Sequence, residues 1–112
     1  MLSKKITQEL YNKGSKIQTT SFTLIWSLVK NKINETNLVI AVPKKSMKKA
    51  VDRNYTKRRI KEIYAKSGAQ LILSPVNIIL IYNKSSLPEF NKLKQELLTL
   101  FQILGNRINE AN

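Results

Sequence analysis

Residues 43–64 read PKKSMKKAVDRNYTKRRIKEIY, with nine Lys or Arg against two acids, Asp52 and Glu62. How this stretch folds decides the architecture on either side of it. Immediately upstream, NLVIAVP is apolar and β-branched and meets Pro43, which cannot donate to a ladder, so a strand ends there. The basic stretch begins as a loop and turns helical between Ala50 and Arg53, where Asp52 suits a first turn or cap. At about 100° per residue, Thr56, Ile60, Ile63 and Tyr64 share one arc, while Asn54, Tyr55, Lys57, Arg58, Arg59 and Lys61 sweep the remainder. The helix is amphipathic with a broad cationic face, and Ser67 and Gly68 close it. Downstream, VNIILIYN is an apolar run of strand length whose unbroken hydrophobicity predicts cover on both faces. Strand, helix, strand is the arrangement that joins two parallel strands, with the handedness left open.

Working outward, Ser3 can cap a helix from Lys4 to Asn12 in which Ile6, Leu10 and Tyr11 share a face and Gly14 is the stop. SFTLIWSLV, residues 21–29, alternates with aromatic and β-branched enrichment and reads as a strand. The polar KNKINETN that follows is a turn, so this strand and NLVIAVP are expected to pair antiparallel. After the last strand, Ser86 is a cap and Pro88 and Glu89 suit the first turn of a final helix. Its stripe is Phe90, Leu93, Leu97, Leu100, Phe101 and Leu104, ended by Gly105 and followed by a frayed NRINEAN. The order is α-β-β-α-β-α, which predicts a single small α+β domain, a mainly antiparallel sheet with helices packed on it. Phe22, Trp26, Phe90 and Phe101 are assigned to the core.

Composition narrows the function classes. The chain has 112 residues, room for one core, and 42% hydrophobic content in periodic blocks argues for a folded unit despite a net charge of +13. Cysteine and histidine are both absent, which removes disulfides, thiolate zinc sites, cysteine nucleophiles and the usual general base. The seven acids are dispersed, with no spacing suited to paired acid/base or two-metal work. The N-terminus lacks the apolar run of a signal peptide, and no apolar run reaches the ~18 residues of a membrane span. These features lead to the expectation of a soluble, cytoplasmic protein that carries no active site of its own and binds a polyanion.

The basic stretch admits a bland reading as a solvated helix face. Against it, the segment holds nearly half of the chain's basic residues and has a local net charge of +7. Such a segment repels itself within about a Debye length and calls for an external counter-ion. It also mixes guanidinium forks, an amide and a ring, which can grip phosphate, hydrogen-bond a base and stack. A membrane-surface helix would need larger apolar residues opposite the charges than Thr56, two Ile and Tyr64. A DNA-reading helix-turn-helix needs a preceding helix where this chain has a strand.

VPKKSMKKAVDRNYTKRRIKEIY resembles the signature of the bacterial ribonuclease P protein component, in which a strand ends in a Val-Ser-Lys-Lys-like sequence and Arg-Asn-Arg-x-Lys-Arg then opens the central helix. Val42, Lys44 and Lys45 match the first part, and Arg53, Asn54, Lys57 and Arg58 the second. The first helix ending at a glycine, SFTLIW, NIILIYN and LKQELLTLF also stand in family order, so the resemblance covers most of the chain. It implies the ribonuclease P protein-like fold (ribosomal protein S5 domain 2-like), with one RNA-binding domain over residues 1–112. The implied function is that of a ribonucleoprotein subunit that assists removal of the 5′ leader from precursor tRNA. The implied partners are the ribonuclease P catalytic RNA and the leader, with no membrane or DNA. The RNA subunit would hold the catalytic Mg²⁺, the protein binding none directly and carrying no catalytic residue.

Carried over by position, Lys44, Lys45, Arg53 and Lys61 would meet RNA phosphates, and Asn54, Lys57 and Arg58 would lie near the junction of RNA and leader. Lys48, Lys49 and Tyr55 complete the implied RNA-binding set. Tyr11 and Ile25 fall where the family places leader-cleft residues, although Tyr11 also reads as core packing beside Leu10. The sequence departs from the pattern at Tyr55, where the family has arginine. It departs again at Thr7, where an aromatic is usual, and at Asn37 and Val39, which replace Arg and Gly. A non-catalytic RNA-binding protein of ribosomal or assembly type is the competing class, because charge and fold would serve it equally.

Overall fold

The computed structural model describes residues 3–29 and 36–111. Three helices, α1 (Lys4–Lys13), α2 (Ala50–Ile63) and α3 (Phe90–Ala111), sandwich a sheet of four strands, β1 (Ser15–Gln18), β2 (Phe22–Leu28), β3 (Asn37–Ala41) and β4 (Val76–Tyr82). The strand order is β1-β2-β4-β3. The α+β class follows as expected. Most of the turn expected at KNKINETN falls outside the described residues.

Two sheet features differ from the sequence reading. SKIQ forms an unforeseen short edge strand antiparallel to β2, pairing Ser15 with Trp26 and Gln18 with Thr23. And β2 does not pair with β3, because β4 lies between them, antiparallel to β2 and parallel to β3. The reason is burial. β4 is apolar at nearly every position and is buried along almost its whole length, so the centre of the sheet, covered on both faces, is where it loses most contact with water. β3 is half-buried throughout and takes the edge. The anticipated crossover through the basic stretch is the β3-α2-β4 unit, and its strands are parallel.

The register divides the sheet into two faces. Ile17, Phe22, Leu24, Trp26, Ile78, Leu80 and Tyr82 face α2 and α3 and meet Ile60, Ile63, Leu93, Leu97, Leu100, Phe101, Leu104 and Ile108 in the main core. On the opposite face α1 covers a smaller cluster of Leu10, Ile25 and Ile79. Ser3 caps α1 as anticipated, its side chain accepting from the N–H of Ile6 at 3.2 Å, and the Gly14 N–H closes on the Leu10 carbonyl at 2.8 Å.

The helix ends also move. α3 passes through Gly105 to Ala111, and Ile108 is buried in what had read as a frayed tail. Gly105 serves close approach, since a Cβ there would collide with the Leu71 carbonyl oxygen. Gly68 does likewise, as a Cβ would stand 2.6 Å from the Phe101 ring. The chain therefore does not stop at Ser67 and Gly68 but continues from α2 as a π-helical turn over Tyr64–Gly68 and a 3-10 turn over Ala69–Leu71. Phe90, assigned to the core, is 39% exposed at the start of α3. Ser86 does not cap that helix; its carbonyl accepts from the Tyr82 hydroxyl at 3.2 Å. Among the described residues no helix is long and apolar enough to cross a membrane.

Candidate RNA interface

The basic segment is built on a buried anchor. After β3, the Pro43 carbonyl accepts from the N–H groups of Ser46 and Met47, both at 3.0 Å, turning the chain inward so that the Met47 side chain enters the core. Met47 sulfur lies 3.6 Å from the Thr56 hydroxyl of α2, which is itself 2.8 Å from the Asp52 carbonyl. The Arg53 guanidinium reaches back from α2 and donates to the carbonyls of Met47 at 3.0 Å and Lys48 at 2.7 Å. This fixes the loop on the helix with Lys44, Lys45, Lys48 and Lys49 all exposed.

Arg53, assigned from sequence to RNA phosphate, is thus committed through Nη1 to its own chain and holds the lysines in place. Only the fold could show that, because its loop partners lie behind it on a turned segment.

Local electrostatics leave the segment in want of an anion. Lys49 is the N-cap of α2 and makes no side-chain cap bond, with Asp52 the sole acid in the first turn. Lysines beside a helix N-terminus oppose the helix dipole, where a negative group would gain about 0.3–1 kcal/mol. Along α2, Asn54, Lys57, Arg58 and Lys61 are exposed on one contiguous arc, opposite buried Thr56, Ile60 and Ile63. The remaining acid of the segment, Glu62, is engaged on the far flank with Arg59 at 3.3 Å and Lys66 at 3.2 Å. Lys44, Lys45, Lys48, Lys49, Lys57, Arg58 and Lys61 form no ion pair among the described residues. The result is a ridge of like charge on a rigid support. Tyr55, beside it, is exposed, with the Arg59 guanidinium carbon 5.2 Å from its ring centroid.

The two residues carried over to a leader cleft part company. Tyr11 is 49% exposed, so the packing alternative falls away. Ile25 is only 2% exposed, beneath Leu10 of α1 and beside its cross-strand partner Ile79, and its side chain has no surface to offer a ligand. This corrects the sequence reading. The alternation that puts Ile25 on the α1 face cannot tell whether α1 lies on top of it.

Around α1, Lys5, Glu9 and Lys13 border a groove of about 640 Å³ floored by Ser27, Asn37 and Asn77, in which Asn37 Nδ2 donates to Asn77 Oδ1 at 3.0 Å. That floor lies at the end of β3 remote from the basic loop. Thr7 and Tyr11 do not line this groove. Thr7 turns its hydroxyl to the Ser3 carbonyl at 2.9 Å.

Sequence reasoning missed one polar fastening altogether. Glu96 of α3 accepts from the Thr19 hydroxyl at 2.6 Å and from the Ser21 N–H at 2.8 Å, tying the helix to the β1–β2 turn. Burial pushes its carboxyl up, but these hydrogen bonds outweigh burial and hold it below the usual carboxylate range. Burial, and then the Glu96 charge, push the Tyr82 hydroxyl up. Burial also raises Tyr64, packed edge-on against Phe101 at 5.4 Å.

Comparison with known proteins matches this geometry to one family. The family model described as Ribonuclease P matches residues 1–105. The chain belongs to the ribonuclease P protein family. The ribonuclease P protein component of Vibrio campbellii is 29% identical over 112 residues, all of this chain and 89% of the relative. Among solved structures, the Staphylococcus aureus RNase P protein superposes with a TM-score of 0.75 at 26% identity, covering 93% of each chain. The Thermotoga maritima RNase P protein gives 0.78 at 21% identity, covering 91% of this chain and 94% of that one, a likeness of fold. As a ribonuclease P protein component, the chain is an RNA-binding subunit of an endoribonuclease of tRNA processing. The purely ribosomal or assembly reading is set aside.

Proposed function

We propose that the ridge formed by the Lys44–Lys49 loop and α2 neutralises phosphates of the ribonuclease P catalytic RNA where it meets the 5′ leader of precursor tRNA. Seven cations without an ion pair among the described residues, on a support anchored by Met47 and Arg53, carry the reading. Neutralisation lets the RNA–substrate complex form with less Mg²⁺, and the bond is cleaved by the RNA subunit, which supplies the metal. The chain's own part is to bind and orient. Tyr11, exposed on α1, is the leader contact, and Ile25 supports α1 from below. The ribonucleoprotein works in the cytoplasm.

If about five of the cations each release a counterion, log K falls with log salt at a slope of roughly −4 to −5. The test combines the chain with the ribonuclease P RNA of the same genome and a 5′-extended tRNA at limiting Mg²⁺. Mature 5′ ends beyond those made by the RNA alone are expected. The triple replacement Lys57→Gln, Arg58→Gln, Lys61→Gln is expected to remove most of that stimulation with the circular dichroism unchanged. Full stimulation by the triple variant would refute the role of the ridge.

A further inference from the structure

Tyr55 differs from its neighbours on the exposed surface of α2. It is 37% exposed, and Val51 one turn earlier is 76% exposed, so an apolar strip lies open beside a cationic ridge. The ring is held from within its own helix: the Arg59 guanidinium lies over it at 5.2 Å, and Glu62 holds that guanidinium at 3.3 Å. Among the described residues Arg59 Nε has no hydrogen-bond partner, so the guanidinium is shared between the Glu62 carboxylate and the ring face. Tyr55 is therefore oriented without being consumed by the core.

Its position relative to the charges matters more. Tyr55 and Arg58 stand three residues apart on one helix, which puts their Cβ atoms about 5–6 Å from each other. That spacing suits a single nucleotide, with its phosphate on the guanidinium and its base on the ring. We infer that Tyr55, backed by Arg59 and bordered by Val51, is a stacking step for one unpaired RNA base whose phosphate is held by Arg58. The inference rests on the RNA-binding reading above and sharpens it: at this end of the ridge the ligand is a splayed, single-stranded nucleotide. A base in a continuous duplex presents no free face to a ring. Every base has a π-face, so the contact tolerates any sequence, and unlike the phosphate contacts it releases no counterion.

The bland competitor is a Tyr55–Arg59 pair that merely stabilises the helix, and salt dependence separates the two. The genome's own ribonuclease P RNA, fluorescently labelled, is titrated at several salt concentrations. The partners are the wild-type chain, Tyr55→Leu, Tyr55→Phe and the Lys57/Arg58/Lys61 glutamine triple, with Tm measured for each. Tyr55→Leu is expected to weaken binding about fivefold or more at every salt concentration with the slope unchanged, and Tyr55→Phe to bind like wild type. The triple is expected to flatten the slope. Unchanged affinity for Tyr55→Leu, with or without a lower Tm, overturns the stacking step while a flattened slope in the triple leaves the RNA reading standing. Loss in Tyr55→Phe equal to that in Tyr55→Leu also overturns it, because the hydroxyl would then be the contact. If all variants bind alike, both readings fall.

Discussion

Helices α2 and α3 lie on the same face of one sheet, yet they differ in how much charge they gather and how much apolar surface they bury. α3 directs Leu93, Leu97, Leu100, Phe101, Leu104 and Ile108 into the core and commits Glu96 to the Thr19–Ser21 turn. α2 buries only Thr56, Ile60 and Ile63 and leaves Lys57, Arg58 and Lys61 on its outer arc without an ion pair among the described residues. α3 also exposes Lys92, Lys94 and Arg107 without an ion pair among the described residues, so the difference is one of concentration: α2 and the loop before it gather seven such cations on one ridge. The contrast locates function where the molecule tolerates electrostatic repulsion it could have neutralised.

Three substitutions probe that contrast. The largest effect is expected from Leu97→Ala, which deletes fully buried side-chain volume from α3 and should cost about 2–5 kcal/mol in denaturant unfolding. RNA affinity of the remaining folded protein should hold. A salt slope altered as much as in the ridge triple would mean that the two helices do not divide their roles.

Next comes Glu96→Gln, expected to cost about 1 kcal/mol near neutral pH, because two hydrogen bonds lose a charged acceptor. The pH dependence has a definite sign. The folded-state pKa of Glu96 is depressed, so its contribution is complete above the ordinary carboxylate range and is lost as pH falls through the depressed value. Wild type should lose stability on acidification more steeply than the Gln variant. Parallel acid limbs in pH-dependent melts would remove Glu96 as a fastening.

The smallest effect belongs to Glu62→Gln, which frees half-buried Arg59 and exposed Lys66 and should change stability by under about 1 kcal/mol. RNA binding should tighten by a few-fold at low salt as the segment gains net positive charge. Weakened binding would show instead that the Glu62 clamp on Arg59 matters to the RNA contact.

Much of the site was legible because it is local. The wheel through residues 50–64 separates Thr56, Ile60 and Ile63 from the cationic arc using nothing beyond helix periodicity, and burial follows that division. What the wheel leaves out is how the chain turns and what packs over a residue. Arg53 stands among the phosphate contacts by its position in the family signature, and the structure adds that its Nη1 donates to the carbonyls of Met47 and Lys48, six and five residues back on a turned segment. Ile25 alternates like a face residue, and α1 then covers it. Phe90 sits on the apolar stripe of α3, but the helix starts beyond the edge of the core there. Gly105 looked like a stop, and the close passage of Leu71 explains the glycine instead.

The sequence by itself determined the α+β class, the amphipathic central helix and the presence of a concentrated cationic segment, because propensity, periodicity and charge act between residues a few positions apart. The tertiary structure alone decided that β4 lies between β2 and β3, that Met47 and Arg53 lock the lysine loop, and that Glu96 fastens the far turn. Those outcomes turn on which of several competing burials and hydrogen bonds wins once the chain folds back on itself, over five or six residues at Arg53 and over 75 between Glu96 and Ser21. Spacing along the chain does not encode that competition.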